Sequence, residues 1–353
     1  MTSTNTSSMA SSAAMGATAG TRRRALPVIP PNFFGIAFGL AGLAELWVFA
    51  TPIWGFSDVV GRVMELVAAV IWLALLLLYL SKGAKRLVDD WRSQLFSPFI
   101  ALAAIVPTLL AGGLCDVNLS VGRVFVIVTS SITIAIGGWL TGQWILNEIE
   151  DESIHPGYLL PTATGGLVGA FSAAEAHIPL LAEAWFGIGI FCYVLTGSVI
   201  LNRLLVRSRI IPGLTPIIAL EVGPPAVAGV AYHAIHPGPV DAFGAALAGF
   251  SILMIVVQLR LIPMYRQLSF SPGFWSFTFP TAAVALYAVQ WLQIGNPGAP
   301  AAFTAIVVGI ATAIIGAVAA RSLLAISRHQ CFPPAPAPSQ PDPIQAEHAA
   351  VET

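Results

Sequence analysis

Few residues in this chain could do chemistry. Glu221 stands in the apolar stretch 217–231, two residues ahead of Gly223-Pro224-Pro225. An ionised carboxylate at the centre of a bilayer costs at least ~2.5–3.5 kcal/mol. Glu221 is therefore expected to face a lumen, protonated or paired, where it could couple protons to transport or tune the field of a pore. The other placement is nearer the cytoplasmic end, in a wet vestibule. Glu45 is a second carboxylate in an apolar stretch, and Glu65 a third, suited to an interhelical hydrogen bond. Hydroxyls at Thr108, Thr162, Ser276, Thr278 and Thr281 could donate to an anion, or bond back to their own helices. Phe279 directly precedes Pro280. A large apolar side chain there could narrow a pore and close it by dewetting, or simply pack.

Other chemistries lack their residues. Cys115, Cys192 and Cys331 have no paired spacing, so neither a disulfide framework nor a zinc site is expected. His233 and His236 lie near Asp241, and His155 precedes a Pro-Gly turn, without a third ligand at helical spacing; no metal is expected. The chain has no phosphate-binding loop, zinc-protease, nucleophile-elbow or dinucleotide motif, and no paired His, Asp or Ser/His set at membrane depth. No cofactor and no enzyme activity are expected.

The elements that must position these residues follow from composition. Of 353 residues, 56% are hydrophobic and 9% charged, with a net charge of −1, and the mean hydropathy is +0.81. An ordinary soluble domain carries roughly 25% charged residues. A soluble enzyme, a disordered scaffold and a nucleic-acid binder are excluded, the last because there is no basic field for phosphates. The chain is expected in the cell (inner or plasma) membrane with the lipid bilayer as its partner. Residues 1–29, with Arg22, Arg23 and Arg24, read as a disordered cytoplasmic leader, 30–328 as the transmembrane domain, and 329–353 as a disordered cytoplasmic tail.

A membrane helix needs roughly 20 mostly apolar residues. Ten stretches qualify, near 33–53, 59–81, 98–115, 121–145, 157–176, 179–202, 213–233, 240–262, 273–292 and 300–322. With the N-terminus inside, 14 of the 16 basic residues fall in cytoplasmic segments and only Arg62 and Arg123 outside, as the positive-inside rule requires. Both termini are then cytoplasmic.

Prolines mark alternate spans. The odd ones carry Pro107, Pro161, Pro225 and Pro280 with small neighbours, and the first has Gly35 and Gly39; the even ones hold bulky runs such as 71–80. The segments V-P-T-L at 106–109, L-P-T-A at 160–163, G-P-P-A at 223–226 and F-P-T-A at 279–282 echo one another, and 33–44 aligns with 274–285. One hairpin thus recurs about every 60 residues. Five hairpins of one orientation are related by an axis along the membrane normal. The expected fold is all-α: ten spans around a central pore with pseudo-five-fold symmetry, odd helices inside and even helices facing lipid, since broken backbone is tolerated only inside protein or along a cavity. With no Lys or Arg at the centre of any span, an anion would be attracted by helix termini and backbone N–H groups. Such weak binding suits fast passage.

H-P-G-Y-L-L-P at 155–161, G-P-P-A at 223–226 and G-F-W-S-F-T-F-P at 273–280, on five same-hand hairpins, resemble the tellurite-resistance/dicarboxylate transporter family over about residues 30–328. That family includes bacterial tellurite-resistance channels, fungal malate and sulfite transporters and plant guard-cell slow anion channels. The resemblance implies a homotrimer with one pore per protomer, Phe279 as the gate, and kinks at Pro107, Pro161, Pro225 and Pro280, with Gly39 departing from the pattern in the first span. It implies small inorganic or carboxylate anions as substrates. Glu221 has no counterpart in the family picture. It leaves open two functions: an anion channel, or a proton-coupled transporter of a C4-dicarboxylate, sulfite or tellurite.

Overall fold

The computed structural model describes residues 28–55, 57–295 and 297–328. The Arg22–Arg24 run, most of the leader, and the tail with Cys331 lie outside them. The described residues are helical, with no strand. Twelve α-helices follow in order: α1 (Phe34–Trp54), α2 (Val59–Leu80), α3 (Ala84–Arg92), α4 (Ser97–Ile100), α5 (Leu102–Val117), α6 (Leu119–Leu146), α7 (Gly165–Glu175), α8 (Pro179–Val206), α9 (Gly223–Ile235), α10 (Ala242–Tyr265), α11 (Thr278–Gly295) and α12 (Pro300–Ser327).

Among the described residues, eight stretches are long and apolar enough to cross a membrane: Pro31–Trp54, Val59–Leu80, Ser97–Val117, Leu119–Leu146, Pro179–Val206, Thr215–Ile235, Ala242–Tyr265 and Pro300–Ser327. The other two of the ten expected spans fall short of that measure for a visible reason. The stretch 156–175 is broken into a 3-10 turn (Pro156–Leu159), a π turn (Leu160–Thr164) and the short α7. The stretch 272–295 opens with a 3-10 turn (Pro272–Phe277), and its helix α11 is diluted by Gln290 and Gln293.

The helices sort into two layers. In Pro31–Trp54, Ser97–Val117 and Thr215–Ile235 the most apolar windows are 61%, 78% and 83% buried, against 17%, 22%, 11%, 11% and 22% in α2, α6, α8, α10 and α12. The short α7 and α11 are also buried over most of their length. Contacts run in a closed circuit, α1 to α5, α5 to α7, α7 to α9, α9 to α11 and α11 back to α1, and each outer helix packs on the inner one before it in the chain. The exposed outer faces carry Leu66, Leu77, Phe125, Leu195, Leu253 and Ile306; in a membrane protein such side chains belong against lipid.

Several tryptophans cross-link helices. The indole of Trp47 donates to Thr312 Oγ1 (3.1 Å) and that of Trp144 to Ser97 Oγ (3.1 Å). Trp72 has a particular role. Pro107 cannot donate to the carbonyl of Ala103, four residues back, and Trp72 Nε1 of α2 donates to that oxygen at 2.9 Å. Helix α5 therefore continues through Pro107, and the third span breaks six residues earlier, at Ala101 between α4 and α5. Gly39 likewise lies inside an unbroken α1. Pro225 and Pro280 sit in the first turns of α9 and α11, where a 3-10 segment (Thr215–Val222, Pro272–Phe277) passes into α-helix, and Pro161 lies in the π turn.

Candidate functional site: two cavities meeting at a phenylalanine pair

The starts of the inner segments share a feature that the mid-span prolines obscured. Pro31, Pro98, Pro156, Pro216 and Pro272 each occupy the first or second position of a short helical segment, at steps of 67, 58, 60 and 56 residues. Proline suits that position because its missing N–H would have no intrahelical partner there. Four of these starts, at Pro31, Pro98, Pro216 and Pro272, border one cavity of about 390 Å³, lined among others by Asn32, Phe99, Leu160 of the π turn, Ile217, Ser271, Ser276 and Phe279. Among the described residues, no Lys or Arg lines it. In four of the five segments no side chain caps the N-terminus; in the fifth, His155 Nδ1 accepts from Gly157 N at 3.1 Å. The first-turn N–H groups of Phe33, Ser97, Phe99, Thr215, Ile217 and Phe274 are already bonded to backbone carbonyls, so these starts offer an anion mainly the positive ends of the helix dipoles. Asn32, Ser271 and Ser276 add side-chain donors at the cavity wall.

The cavity ends at Phe279. Its ring stacks on Phe38 of α1 with centroids 3.6 Å apart and an interplanar angle of 15°, and the two residues are 7% and 3% exposed. On the other side of Phe279 lies a second, small cavity of about 30 Å³, bordered by Gly42, Glu45, Leu109, Val168, Phe171, Val227 and Leu286, room for about one water molecule. Phe279 lines both cavities. Two glycines of α1 bring α11 this close. A Cβ at Gly39 would overlap the Thr278 side chain, and one at Gly42 would stand 3.0 Å from Phe279 Cδ2.

Of the candidate hydroxyls, Ser276 lines the larger cavity, while those of Thr108, Thr278 and Thr281 bond within the protein. Thr108 Oγ1 donates to Ala104 O (2.8 Å) and lies 3.3 Å from Thr133 Oγ1; Thr278 donates to Trp275 O (2.7 Å) and Thr281 to Phe277 O (2.7 Å). Thr162 packs beside Gly137 of α6. None of the four lines either central cavity. Glu221 also departs from its expected lumen position. Together with Pro225 it borders a crevice of about 410 Å³ between α8 and α10, and its Oε1 is buried without a hydrogen-bond partner. Its neighbour Leu220 faces the central cavity instead.

Phe38, Asn32, Ser271 and Glu175 were not singled out from sequence. Phe38 had a signal: in the alignment of 33–44 with 274–285, it falls opposite Phe279. Glu175 had none, because its approach to Glu45 depends on how α7 packs on α5 and α1. The two carboxyls lie within hydrogen-bonding reach.

Fold and site together define a helical membrane protein built around internal cavities that meet at a phenylalanine pair. The chain belongs to the SLAC1 family: residues 28–323 match the family model described as voltage-dependent anion channel. It is 26% identical to the tellurite resistance protein TehA homolog of Haemophilus influenzae over 269 residues, 73% of this chain and 79% of that protein. It is 22% identical to the guard cell S-type anion channel SLAC1 of Arabidopsis thaliana, covering 84% of this chain and 55% of that protein. The S-type anion channel SLAH3 of the same plant is 21% identical, over 84% of this chain and 48% of its own length. The chain thus spans about half the length of these plant relatives.

Proposed function

We propose that this protein is an anion channel or channel-like transporter whose pathway runs inside the circuit of α1, α5, α7, α9 and α11, with Phe279 as its gate. The observation that carries the reading is the position of the Phe279 ring, stacked on Phe38 and shared by the cavities on either side. Two apolar rings in contact leave no room for a hydrated ion, and a hydrophobic constriction blocks by excluding water. On the side of the larger cavity, Asn32, Ser271 and Ser276 offer an anion polar groups without a fixed cation that would hold it.

The finer architecture belongs to the same proposal. Ten spans form five same-orientation hairpins, both termini are cytoplasmic in the cell membrane, and three copies assemble with one pathway each. The closed contact circuit and the burial split between layers support it. The family membership supports the anion-channel reading itself, since the relatives' names describe anion channels. Small inorganic or carboxylate anions are the substrate class. The competing reading, a proton-coupled transporter of a C4-dicarboxylate, sulfite or tellurite, loses Glu221 as coupling group, because that carboxylate borders the crevice between α8 and α10.

The test is current through the purified chain in planar bilayers under anion replacement. Phe279→Ala is expected to raise anion conductance at least tenfold, with a reversal potential that follows the anion gradient. An anion current no larger than that of the unsubstituted protein would refute the gate.

A further inference from the structure

Among the described residues, Glu45 is the single ionisable side chain bordering the small cavity beyond the Phe38–Phe279 stack; the other walls are apolar side chains and Gly42. It is 6% exposed, and the group within hydrogen-bonding reach of it is the Glu175 carboxyl of α7. Glu175 Oε2 is itself buried without a donor. Two carboxyls share a hydrogen bond only when one of them carries a proton, because ionised carboxylates are acceptors alone. The approach is built into α5: a Cβ at Gly112 would overlap Glu175 Oε2, and one at Gly113 would stand 2.5 Å from Glu65 Oε1.

The surroundings do not neutralise the pair. From α2 come Glu65 and Arg62, and from α5 Asp116 and the thiol of Cys115. Arg62 is already engaged by Asp58 (3.3 Å), Glu65 (3.2 Å), Asp116 (2.6 Å) and the Gly113 carbonyl (2.9 Å). Arg123 of α6 donates to the carbonyls of Ala176 (2.8 Å) and His177 (3.4 Å), just past α7. On α8, Glu183 pairs with His236 at 3.1 Å. On α9, His233 Nδ1 lies 3.0 Å from Gly229 O. Helix α11 contains no Asp, Glu, Lys, Arg or His, and α12 carries only Arg321, near its C-terminal end.

We propose that Glu45 and Glu175 form a proton-binding site on the far side of the constriction, and that anions pass only while the pair holds a proton. This deepens the anion-pathway reading above and rests on it. With the proton bound, the carboxyl bordering the cavity is neutral and can donate to a passing anion. With both groups ionised, their charge stands in the path. A unit charge about 8 Å from the ion, at the effective dielectric of about 20 found in protein interiors, lowers the ion's occupancy by well over tenfold.

The experiment uses the full chain carrying Phe279→Ala, so that current is measurable with the gate removed, in bilayers with symmetric chloride between pH 5 and pH 9. The current is expected to fall at least tenfold from the acid to the alkaline end, and Glu45→Gln to abolish the fall while keeping current at alkaline pH. Glu175→Gln carries the same prediction should Glu45→Gln fail to fold. A current independent of pH with both glutamates present, or full pH dependence retained in Glu45→Gln, overturns the site and leaves the anion pathway standing. Should no variant pass anions, the pathway reading fails and infrared difference spectra decide the site. A protonated-carboxyl band lost in Glu45→Gln or Glu175→Gln upholds proton binding, and its absence from the parent protein refutes it.

Discussion

Phe38 offers a test of how the gate is held, separate from whether Phe279 is the obstruction. The stack at 3.6 Å and 15° is nearly face to face, so the increment of about 0.5–1.5 kcal/mol found for offset and edge-on aromatic pairs is an upper bound for it. In Phe38→Ala, the closed orientation of Phe279 loses that increment while the ring itself remains in the path. With RT near 0.6 kcal/mol, the ratio of open to closed states should rise by up to about 12-fold. Burial sets the accompanying cost: Phe38 is 3% exposed, so truncation should also lower global stability by about 3–5 kcal/mol. The assay is single-channel recording in bilayers, with detergent thermal melts confirming that the variant is folded at the recording temperature. The expected pattern is higher open probability at nearly unchanged unitary conductance, whereas Phe279→Ala should raise the conductance itself. A folded Phe38→Ala protein with unchanged open probability would refute the claim that the stack holds the gate closed.

Two further outcomes follow from the packing. Trp72→Phe leaves the Ala103 carbonyl without the donor that replaces the missing N–H of Pro107, which should cost about 1–3 kcal/mol. In a Pro107→Ala background the helix supplies its own N–H, and the cost should shrink by about 1 kcal/mol in a double-mutant cycle of unfolding in mixed micelles; equal costs in both backgrounds would sink the idea. Gly39→Ala inserts a methyl group where the Thr278 side chain lies, and overpacking of this kind costs typically about 1–3 kcal/mol. Because Thr278 adjoins Phe279, the change should also alter gating, whereas Gly249→Ala, with open space around its Cβ position, should change neither melting nor current.

How much of this was legible beforehand differs residue by residue. The apolar runs, the Phe279-Pro280 pair and the shortage of charge pointed to a helical membrane protein of this family, because long apolar stretches have few other solutions. The mid-span prolines were less informative. Pro107 pointed to a freed carbonyl, but the group that satisfies it, the Trp72 indole, lies in another helix. Glu221 was misplaced for a geometric reason. The segment Thr215–Val222 is a 3-10 helix, with 3.0 residues per turn where an α-helix has 3.6. Facing directions therefore drift by about 20° per residue from α-helical expectation, or about 120° over the six steps from Thr215 to Glu221. That drift turns the carboxylate from the central cavity to the crevice between α8 and α10.

The sequence by itself determined the class: 9% charge in 353 residues leaves the bilayer as the only solvent able to accept so much apolar surface, and the recurring helix-pair pattern carried the family. Tertiary structure alone decided which polar groups meet. Glu45 and Glu175 are 130 residues apart, and Phe38 and Phe279 are 241 apart. No local rule of spacing relates them, because their meeting is set by the rotation and close approach of α1, α5, α7 and α11. Glycines too small to hold those helices apart permit that approach.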